Sequence, residues 1–554
     1  MTGSEILVRC LEELEVDTVF GYPGGAVIPL YDVLVESEKI RHVMVRHEQA
    51  AAHGADGYAR VTGKTGVCIA TSGPGATNLV TGIATAYMDS IPMVAITGQV
   101  PVSMLGKDSF QEVDITGITL PITKHNYLVK DVKNLTKTIR EAFYIASSGR
   151  PGPVLIDLPK DVLTDQCRYT FPKVKELPGY KPTYQGHPTQ MKGAAEVMAS
   201  AKRPIIYAGG GVIHSQAHRE LLALAELLSI PVTTTLMGMG AFPGDHPLSL
   251  GMLGMHGTPT ANFAIGEADL VIALGVRFDD RVTGKCEAFA NKAKIIHVDI
   301  DPAEIGKNVG VDIPIVGDVK NVLNTFLVQL SKQQQREWLE QIRNWKEQYP
   351  MEYKKDGQLR PQMVVQKICE ATNGEAIITT EVGQHQMWAA QFYKFSQPRS
   401  FVSSGGLGTM GFGLPATVGA QVGCPDRTVF NISGDGSFQM NAQELMTAVA
   451  NKLPIKIAIL NNQYLGMVRQ WQEMFCDRRY ACTDVSDQPD FVKLAEAYGA
   501  VGMRIDKEDE VEEALQKAMQ IDDRPVVMDF RVEKEENVLP MIPAGKTVED
   551  IILS

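Results

Sequence analysis

The chain has 554 residues, of which 44% are hydrophobic and 21% charged, which predicts a globular protein of three or four domains with sizeable cores. Its formal net charge of −12 argues against nucleic acid as a partner, because binding to phosphates requires a basic surface. No apolar run approaches the roughly 20 residues that span a bilayer, and the N-terminus lacks the apolar core of a secretion signal.

The cysteines carry information about the redox environment. All eight are scattered along the chain with no CxxC pair, so they are predicted to be reduced packing residues rather than disulfides or zinc ligands. Cys68, in an apolar strand, is expected to lie in the core. These features predict a cytoplasmic protein with neither membrane nor nucleic acid as a partner.

Apolar strands alternate with helical stretches and Gly-rich turns in three successive blocks. This alternation is typical of parallel sheets that are covered by helices. The predicted fold class is therefore α/β, with three doubly wound parallel-sheet domains. The predicted boundaries are a first domain at 1–165, a Pro-rich linker at 166–189, a central domain at 190–330, an amphipathic connecting helix at 331–360, a third domain at 361–535 and a C-terminal tail, interpreted as a lid, at 536–554.

The first block contains a glutamate among small helical residues. Glu48 follows a short apolar strand in the sequence VMVRHEQAAAHGADGYAR. A carboxyl group in a low-dielectric pocket has a raised pKa and can hold a proton at neutral pH. The same spacing also fits a surface glutamate that is stabilised by a helix N-terminus, so spacing by itself leaves both interpretations open.

Two further segments precede the third block. The segment Thr71 to Asn78 (TSGPGATN) is a Gly-Pro loop between a strand and a helix, which by itself also fits a plain tight turn. In the central block, the strands PIIYAGGG, DLVIALG and AKIIHVDID end in glycines or acidic residues. That pattern is similar to a nucleotide-binding sheet, whose ligands lie at the carboxyl ends of the strands.

The third block contains the most informative pair of motifs. Gly434-Asp435-Gly436 ends one apolar strand, and Asn461-Asn462 ends the next. By itself, Asp-Gly is more typical of a turn than of a metal site. One strand–helix–strand unit separates the motifs, so Asp435 and Asn462 are predicted to emerge at the same edge of a parallel sheet. A carboxylate and an amide oxygen, with phosphate oxygens and water, suit Mg²⁺, so the pair predicts a metal–diphosphate site.

Two glycine-containing turns accompany this pair. Glu381-Val382-Gly383-Gln384-His385 follows an apolar strand and opens a helix, whose free N–H groups are expected to bind an anion. Residues 404–411 (SGGLGTMG) form a second Gly-rich turn. Within it, Met410 fits a core filler as well as a ligand contact, because methionine adapts to irregular gaps.

Together these segments resemble thiamine diphosphate (ThDP)-dependent decarboxylases and carboligases. Over residues 1–545 the chain resembles the catalytic (large) subunits of the acetohydroxyacid synthase family, also called acetolactate synthases. The segments that carry this resemblance are FGYPGGAVIPLYD, HEQAAAHGADGYAR, SGPGATN, GRPGPVLIDLPKDV, LGMLGMHG, ALGVRFDDRVTGK, VGQHQMWAAQ, GGLGTMGFGLPA, GDGSFQMN and LNNQYLGMVRQWQ.

The resemblance implies a pyrimidine-binding, middle and diphosphate-binding order of domains, with ThDP, Mg²⁺ and FAD as cofactors. It also implies that pyruvate is decarboxylated and that the two-carbon unit is condensed with a second pyruvate or with 2-oxobutyrate. The products are 2-acetolactate and 2-aceto-2-hydroxybutyrate, in the first common step of valine, leucine and isoleucine biosynthesis. The implied assembly is a homodimer or tetramer with a small regulatory subunit.

The resemblance also implies roles for individual residues. Glu48 activates ThDP, and Gln111, Lys160 and Trp471 are the other implied catalytic residues. The implied ThDP contacts are Tyr22, Gly25, Pro74, Asn78, Val382, Gly383, Gln384, His385, Gly408, Met410, Gly434, Gly436, Ser437, Met440 and Met467. The implied Mg²⁺ ligands are Asp435, Asn462 and the backbone carbonyl of Tyr464.

Further roles concern the flavin and the entrance to the site. The implied FAD contacts are Arg150, Gly209, Gly210, Gly254, Met255, His256, Gly257, Arg277, Asp279, Arg281, Asp299 and Asp318. Arg281 fits a substrate carboxylate equally well, because its planar guanidinium binds carboxylates bidentately. Gly25, Phe110, Gln111 and Lys160 are implied to lie at the mouth, contributed across a dimer, while Met467, Val468 and Trp471 line the channel.

One position departs from the family pattern, and two other functions remain open. Lys107 stands where a small polar residue is expected, which puts the loop near the entrance in doubt. One alternative is a flavin oxidoreductase of the pyruvate oxidase kind, against which Trp471 and the segment RFDDRVTG argue. The other is a non-catalytic nucleotide-binding protein, against which Glu48, Asp435 and Asn462 argue.

Overall fold

Residues 1–171 and 177–553 are described by the structure, which is a computed structural model. The middle of the predicted linker (172–176) and the last residue of the predicted tail therefore lie outside the described residues. The chain forms three six-stranded sheets in which all paired strands run parallel. The predicted α/β class with three doubly wound sheets is confirmed, whereas the boundaries at single residues stay predictions.

The first sheet has helices on both faces, as its fully buried strands require. Its strands are β1 (Thr18–Gly21), β2 (Arg41–Met44), β3 (Gly66–Ala70), β4 (Met93–Gln99), β5 (His125–Leu128) and β6 (Pro153–Pro159). The helices of this part are α1 (Gly3–Glu13), α2 (Ile28–Leu34), α3 (Glu48–Thr62), α4 (Pro74–Asn78), α5 (Val80–Met88), α6 (Ile115–Thr119), α7 (Leu135–Ser147) and α8 (Lys160–Thr164).

The central sheet is built from shorter strands, of which the innermost are entirely apolar and buried. Its strands are β7 (Pro204–Ala208), β8 (Val232–Thr234), β9 (Ser249–Met252), β10 (Leu270–Leu274), β11 (Lys294–Asp299) and β12 (Ile313–Val316). The helices are α9 (Pro188–Ser200), α10 (Gly210–His214), α11 (His218–Leu228), α12 (Pro259–Glu267), α13 (Asp280–Thr283) and α14 (Val319–Gln329), and α15 (Arg336–Gln348) follows as the connecting helix.

The third sheet completes the chain. Its strands are β13 (Ile377–Thr380), β14 (Phe401–Ser403), β15 (Val429–Gly434), β16 (Lys456–Asn461), β17 (Val501–Ile505) and β18 (Val526–Arg531). The helices are α16 (Pro361–Ala371), α17 (Gln384–Phe392), α18 (Gly413–Gly423), α19 (Asp435–Gln439), α20 (Glu444–Ala450), α21 (Gly466–Phe475), α22 (Phe491–Tyr498) and α23 (Val511–Met519). Short 3-10 segments occur at Val102–Met104, Leu120–Ile122, Val132–Asn134, Leu236–Gly238, Cys286–Ala288, Glu508–Glu510 and Val548–Asp550.

The first and third sheets have the same topology. Their strand orders are β2-β1-β3-β4-β6-β5 and β14-β13-β15-β16-β18-β17, so each strand of one sheet has a counterpart in the other. In both sheets the second strand along the chain lies on one side of the first strand, and the third strand lies on its other side, so the winding direction reverses there. Ligands of open parallel sheets bind at such a reversal, beyond the carboxyl ends of the strands. The topology therefore places the ends of β1 and β3, and of β13 and β15, where a ligand is expected.

Helices α3 and α18 join these two domains through close backbone contact. A Cβ atom on Gly57 would overlap the carbonyl oxygen of Ala416, and one on Gly419 would overlap the carbonyl oxygen of Gly54. The surrounding side chains are buried, and they form one apolar core that extends across both domains. The glycines therefore allow the two helices, and with them the two sheets, to approach closely.

Replacing Gly419 by alanine is expected to destabilise the protein by about 1–3 kcal/mol or more, because the new methyl group forces the two helices apart. The matched control is Gly193→Ala in α9, where a Cβ meets no atom within 4 Å. Alanine there is expected to be neutral or to stabilise, because it has the higher helix propensity. Thermal unfolding of both variants checks the prediction, and equal melting temperatures would contradict it.

The remaining sequence predictions concern cysteines, membranes and the tail. The cysteines are free, and Cys68 is fully buried, as expected. In the described parts of the chain, no helix has both the length and the apolar character needed to cross a membrane. The tail is polar in sequence, but some of its apolar side chains are buried. Val538 and Met541 are fully buried, and the Ile542 N–H donates to the carbonyl of Met255 in the central domain (2.8 Å).

Candidate functional site

The predicted metal motif lies at the carboxyl edge of the third sheet. Strands β15 and β16 pair in parallel with Gly434 beside Leu460, so Asp435 and Asn462 leave the sheet at the same edge, one residue apart in register. The Asn462 side-chain oxygen accepts a hydrogen bond from the Tyr464 N–H (3.1 Å), which shapes the turn after β16. The structure thus brings the three predicted ligands together at one edge.

The Asp435 side chain has the properties of an incomplete ligand set. It is 1% exposed, and its Oδ2 atom has no hydrogen-bond partner among the described residues. Burial raises the pKa of Asp435 to about 7, against the effect of backbone N–H groups including that of Gln463. A buried carboxylate oxygen without a partner is costly unless a cation or a donor satisfies it. The residues present therefore fit a divalent cation with oxygen ligands.

Helix α17 forms the second side of this edge. No side chain caps its first turn, so its free N–H groups point toward the turn after β13. The Gln384 side chain donates to Gln470 (2.9 Å) and accepts from Asn462 (3.1 Å). It therefore ties the helix to the predicted metal site, Asp435 with Asn462 to Tyr464, hereafter the metal turn. Its amide groups are thereby occupied, and the backbone N–H groups remain for a diphosphate.

His385 packs between two glycines of the predicted cradle. A Cβ on Gly383 would lie 2.7 Å from the ring, and a Cβ on Gly434 would lie equally close. Burial lowers the pKa of His385 to about 3, so the imidazole is neutral at neutral pH. His385 therefore fits a hydrogen-bonding partner of a diphosphate rather than a cationic one.

The Gly-rich turn after β14 faces the same edge. Gly408 has a φ of +75°, and the atoms nearest to a Cβ at this position are those of Val382, 4.0 Å away. The Met410 methyl group lies 4.0 Å from a Cβ placed on Gly436. Ser437 donates to the Val382 carbonyl (3.4 Å), and Met440 is 55% exposed. These residues line an open face beside the metal turn.

Glu48 occupies the equivalent edge of the first sheet. It begins α3 after β2, and its carboxylate accepts a hydrogen bond from the Asn78 side chain (2.9 Å). A Cβ on Gly75 would lie 3.3 Å from the same carboxylate, so the SGPG turn closes over it. Pro74 and Gly25 are exposed nearby on the same domain, and Tyr22 is 40% exposed.

One carboxylate holds the loop that contains Lys107, the residue that differs from the family pattern. Glu112 accepts hydrogen bonds from the backbone N–H groups of Gly106, Lys107 and Ser109, and these bonds lower its pKa. Lys107 itself is exposed, as is Phe110, at 88%. The loop therefore presents Phe110 to the outside of the chain.

Two implied catalytic residues flank this loop. Gln111 adopts a φ of +59°, and its backbone packs against Gly73 of the SGPG turn. Lys160 is exposed at the start of α8, directly after β6. Both residues thus belong to the carboxyl edge of the first sheet, on the same side as Glu48.

The central domain brings the predicted flavin residues to one sheet edge as well. Gly209 and Gly211 contact Gly275 so closely that a Cβ on either residue would overlap its backbone, whereas Gly210 has only ordinary contacts. His256 is 6% exposed, and its Nε2 atom has no partner among the described residues. A buried ring nitrogen without a partner fits a polar ligand.

Several charged residues of this predicted flavin site already have protein partners. Asp279 and Asp318 cap α13 and α14, respectively, through backbone N–H groups. Arg150 forms ion pairs with Glu304 (2.6 Å) and Asp301 (3.2 Å), which hold the central domain against the first. Asp299 accepts a hydrogen bond from the Asp301 N–H, and Arg277 donates one to the Met88 carbonyl. The Met255 N–H, beside Gly254 and Gly257, donates to the Arg281 carbonyl.

Arg281 and Trp471 meet between the central and third domains. The guanidinium lies over the indole ring, 5.6 Å from its centre, which is within the range of a cation–π contact. The Arg281 side chain pairs with the exposed carboxylate of Asp280 through its Nε atom (3.8 Å), and it remains 57% exposed, so the outer part of the guanidinium is accessible to a ligand. Met467 and Val468 are on the same helix, α21, and Val468 is 50% exposed.

The structure also reveals supporting residues that the sequence motifs did not indicate. Arg469 is 1% exposed and binds Glu473 (2.8 Å) and the Glu535 carbonyl (3.1 Å). Gln470 exchanges two hydrogen bonds with the backbone of Val538. They hold α21, and with it Trp471, against the tail. Both residues stand between Met467 and Trp471, but the sequence motifs assigned them no role, because partners far along the chain leave no local pattern.

Glu381 begins the predicted anion-binding turn, but the sequence motifs assigned its carboxylate no role. Glu381 is 1% exposed, accepts a short hydrogen bond from Ser433 and lies 4.0 Å from His385. Burial raises the pKa of Glu381 to about 7. Its position directly after a buried strand was the available signal.

Comparison with known proteins agrees with this geometry. Three family models match in chain order, described as thiamine pyrophosphate enzyme N-terminal TPP binding domain (residues 1–118), central domain (191–326) and C-terminal TPP binding domain (381–530). Glu48 lies in the first match, and Asp435 and Asn462 lie in the third. These matches, with the three parallel sheets, define a thiamine diphosphate-dependent enzyme.

Full-length relatives narrow the class. Acetolactate synthase of Mycobacterium bovis is 53% identical, covering 100% of this chain and 91% of the relative. A probable acetolactate synthase large subunit of Methanocaldococcus jannaschii is 52% identical, covering 100% and 95%, and the acetolactate synthase large subunit of Haemophilus influenzae is 47% identical, covering 100% and 98%. The chain belongs to the family of acetolactate synthase large subunits.

Proposed function

We propose that this chain decarboxylates pyruvate and condenses the two-carbon unit with a second pyruvate or with 2-oxobutyrate. The observation that carries the choice of substrate is the contact of Arg281, in α13 of the central domain, with Trp471, on the helix α21 that follows Asn462 and Tyr464. A guanidinium with free donors fits the carboxylate of a 2-oxo acid. The indole beside it supplies an apolar wall, which suits the additional methyl group of 2-oxobutyrate.

The chain's own residues position and protect the chemistry. Bound ThDP supplies the electron sink for decarboxylation. Asp435, Asn462 and the Tyr464 carbonyl would hold Mg²⁺, and the first turn of α17 would hold the diphosphate. Glu48 would exchange a proton with the pyrimidine nitrogen, and Asn78 orients its carboxyl group. Val382 and Met410 would border the cofactor beside Gly408 and Gly436.

We also propose FAD as a third cofactor, bound at the carboxyl edge of the central sheet. The support is the Nε2 atom of His256, which has no partner in the described part of the chain, and the exposed guanidinium of Arg281. In this proposal FAD has a structural role, because the condensation has no net redox change. Asp279 and Asp318 contribute through the helices α13 and α14, whose N-termini they cap.

We infer that a second copy of the chain completes the site. Within one chain, the contacts of Glu48 come from the first domain, and those of Asp435 come from the third. Large apolar residues are exposed beside both halves, namely Phe110 and Met440, at 88% and 55%. We infer a homodimer in which the Glu48 half of one chain completes the Asp435 half of the other. Such symmetric dimers are the commonest oligomers.

Two further proposals rest on family membership and composition. The relatives named as large subunits support a small regulatory subunit as a partner of this chain. The free cysteines support a reducing compartment, the cytoplasm.

A competition assay tests the proposed reaction. With pyruvate and 2-oxobutyrate together, the wild-type protein is expected to form both acetohydroxy acids without consuming an electron acceptor. The Trp471→Leu variant is expected to lower the share of the 2-oxobutyrate product about tenfold, which is a loss typical of one apolar pocket contact. The matched control is Trp345→Leu, at a tryptophan of the connecting helix α15. Consumption of an electron acceptor in step with decarboxylation would support a flavin oxidase and overturn the proposal. The assay with and without added FAD tests its place as a cofactor.

A further inference from the structure

The three domains meet at the turn that follows α5, at Met88 and Asp89. The Arg277 guanidinium of the central domain donates to the Met88 carbonyl (2.5 Å). From the third domain, the N–H groups of Gly405 and Gly406 donate to the Asp89 carboxylate (3.0 and 2.7 Å). One turn of the first domain is therefore in contact with both other domains.

The Asp89 carboxylate is fully engaged at this junction. Its side chain is buried, and besides the two N–H groups it accepts a hydrogen bond from Arg60 (2.9 Å). A Cβ on Gly406 would lie 2.9 Å from the Asp89 Oδ1 atom, so only glycine allows this approach. Arg60 also pairs with Asp56 on its own helix, so the guanidinium is fixed from both sides.

A second contact from α5 holds the segment of the third domain that begins at Gly405 and Gly406, at its Thr409 end. The hydroxyl groups of Thr85 and Thr409 lie 2.8 Å apart, in a buried position. Thr85 donates its single proton to the Thr81 carbonyl (2.9 Å). Thr409 is therefore the donor to Thr85, because each hydroxyl has only one proton to give.

These bonds fix the segment that carries Gly408 and Met410. Asp89 holds its beginning, and Thr85 holds the residue between Gly408 and Met410. Within its own domain the segment has fewer anchors, which are a Ser404 hydroxyl bond to the Thr409 N–H and an Asn441 bond to the Gly411 carbonyl. On the open side of Gly408, a Cβ would meet no atom of the described residues closer than 4.0 Å.

We propose that Asp89 and Thr85 of the first domain are positioning residues for the thiamine pocket of the third domain. They set the position of residues 405–410, on which the placement of Gly408 and Met410 against the cofactor depends. The inference rests on the proposed roles of Gly408 and Met410. It adds that the pocket is shaped by residues of another domain that do not themselves touch the cofactor.

The test is the dissociation constant for ThDP at saturating Mg²⁺, measured by equilibrium dialysis on the full-length protein. Thr85→Val is expected to raise this constant about fivefold to thirtyfold, because the buried Thr409 hydroxyl loses its acceptor and the segment shifts. Thr85→Ser keeps the acceptor and is expected to stay within about twofold of wild type. Asp89→Asn is expected to weaken binding further, since two N–H groups and Arg60 lose their charged partner.

Thr372→Val is the matched control. Thr372 is also buried, and its hydroxyl contacts the Tyr393 hydroxyl at 2.9 Å, away from the cofactor edge. It is expected to lower the melting temperature as Thr85→Val does, with no change in ThDP affinity. Equal ThDP affinity of Thr85→Val, Thr372→Val and wild type would overturn the inference. If Asp89→Asn does not fold, the threonine pair still decides the question. Failure of the wild-type protein to bind ThDP would instead contradict the proposed function.

Discussion

Replacing Glu48 by glutamine is expected to lower kcat for pyruvate condensation by about 10²–10³-fold, the usual contribution of a positioned acid–base group. The carboxyl group lies at the start of α3, held by Asn78 and closed over by Gly75. Glutamine keeps the shape and the hydrogen bond to Asn78, but it cannot exchange a proton with the pyrimidine nitrogen. Steady-state kinetics at saturating ThDP and Mg²⁺ measure the effect.

The affinity for ThDP is expected to change little in this variant, because the diphosphate and metal groups belong to the third domain. Glu220→Gln is the matched control, since Glu220 also lies in the first turn of a helix, α11, and is partly buried. We expect wild-type kinetics for the control. Condensation by Glu48→Gln at the wild-type rate would show that the assignment of Glu48 is wrong.

Replacing Asp435 by asparagine is expected to weaken binding of ThDP with Mg²⁺ by about 100-fold or more. Mutation of residues that only hydrogen-bond to a metal ligand already lowers metal affinity by about 10–100-fold, and Asp435 is a proposed ligand itself. Asparagine has nearly the same volume, but it removes the negative charge from the metal turn. Calorimetric titration with ThDP at fixed Mg²⁺ measures the loss. Activity is expected to return in part at high Mg²⁺ concentration.

The same variant separates a binding defect from a folding defect. In the protein without ligand, the Asp435 carboxylate is buried and its Oδ2 atom lacks a partner among the described residues. A neutral side chain removes the cost of burying that charge, so the variant is expected to melt at or above the wild-type temperature. Asp426→Asn, at the exposed turn before β15, is the control for binding. Unchanged affinity of Asp435→Asn would contradict the metal assignment.

The sequence predicted the architecture because the parallel strands are buried on both faces and therefore read as apolar runs. The strand at 270–274 (LVIAL) and the strand at 429–434 were both predicted and confirmed. The prediction that Asp435 and Asn462 share one edge is confirmed as well, since the period of a strand–helix–strand unit fixes that geometry. The polar sequence of the tail was misleading, because burial of Val538 and Met541 depends on the domain against which they pack.

Local sequence therefore determined which residues stand at the carboxyl ends of the strands, and with them the positions of Glu48 and Asp435. Local periodicity and turn chemistry are sufficient for that, because both act over one strand–helix–strand unit. Only the tertiary structure decided how the domains meet. The contact of Arg281 with Trp471 and the hold of Asp89 on residues 405 and 406 join segments far apart in the chain. Such contacts depend on the packing of whole domains, for which no short motif carries a signal.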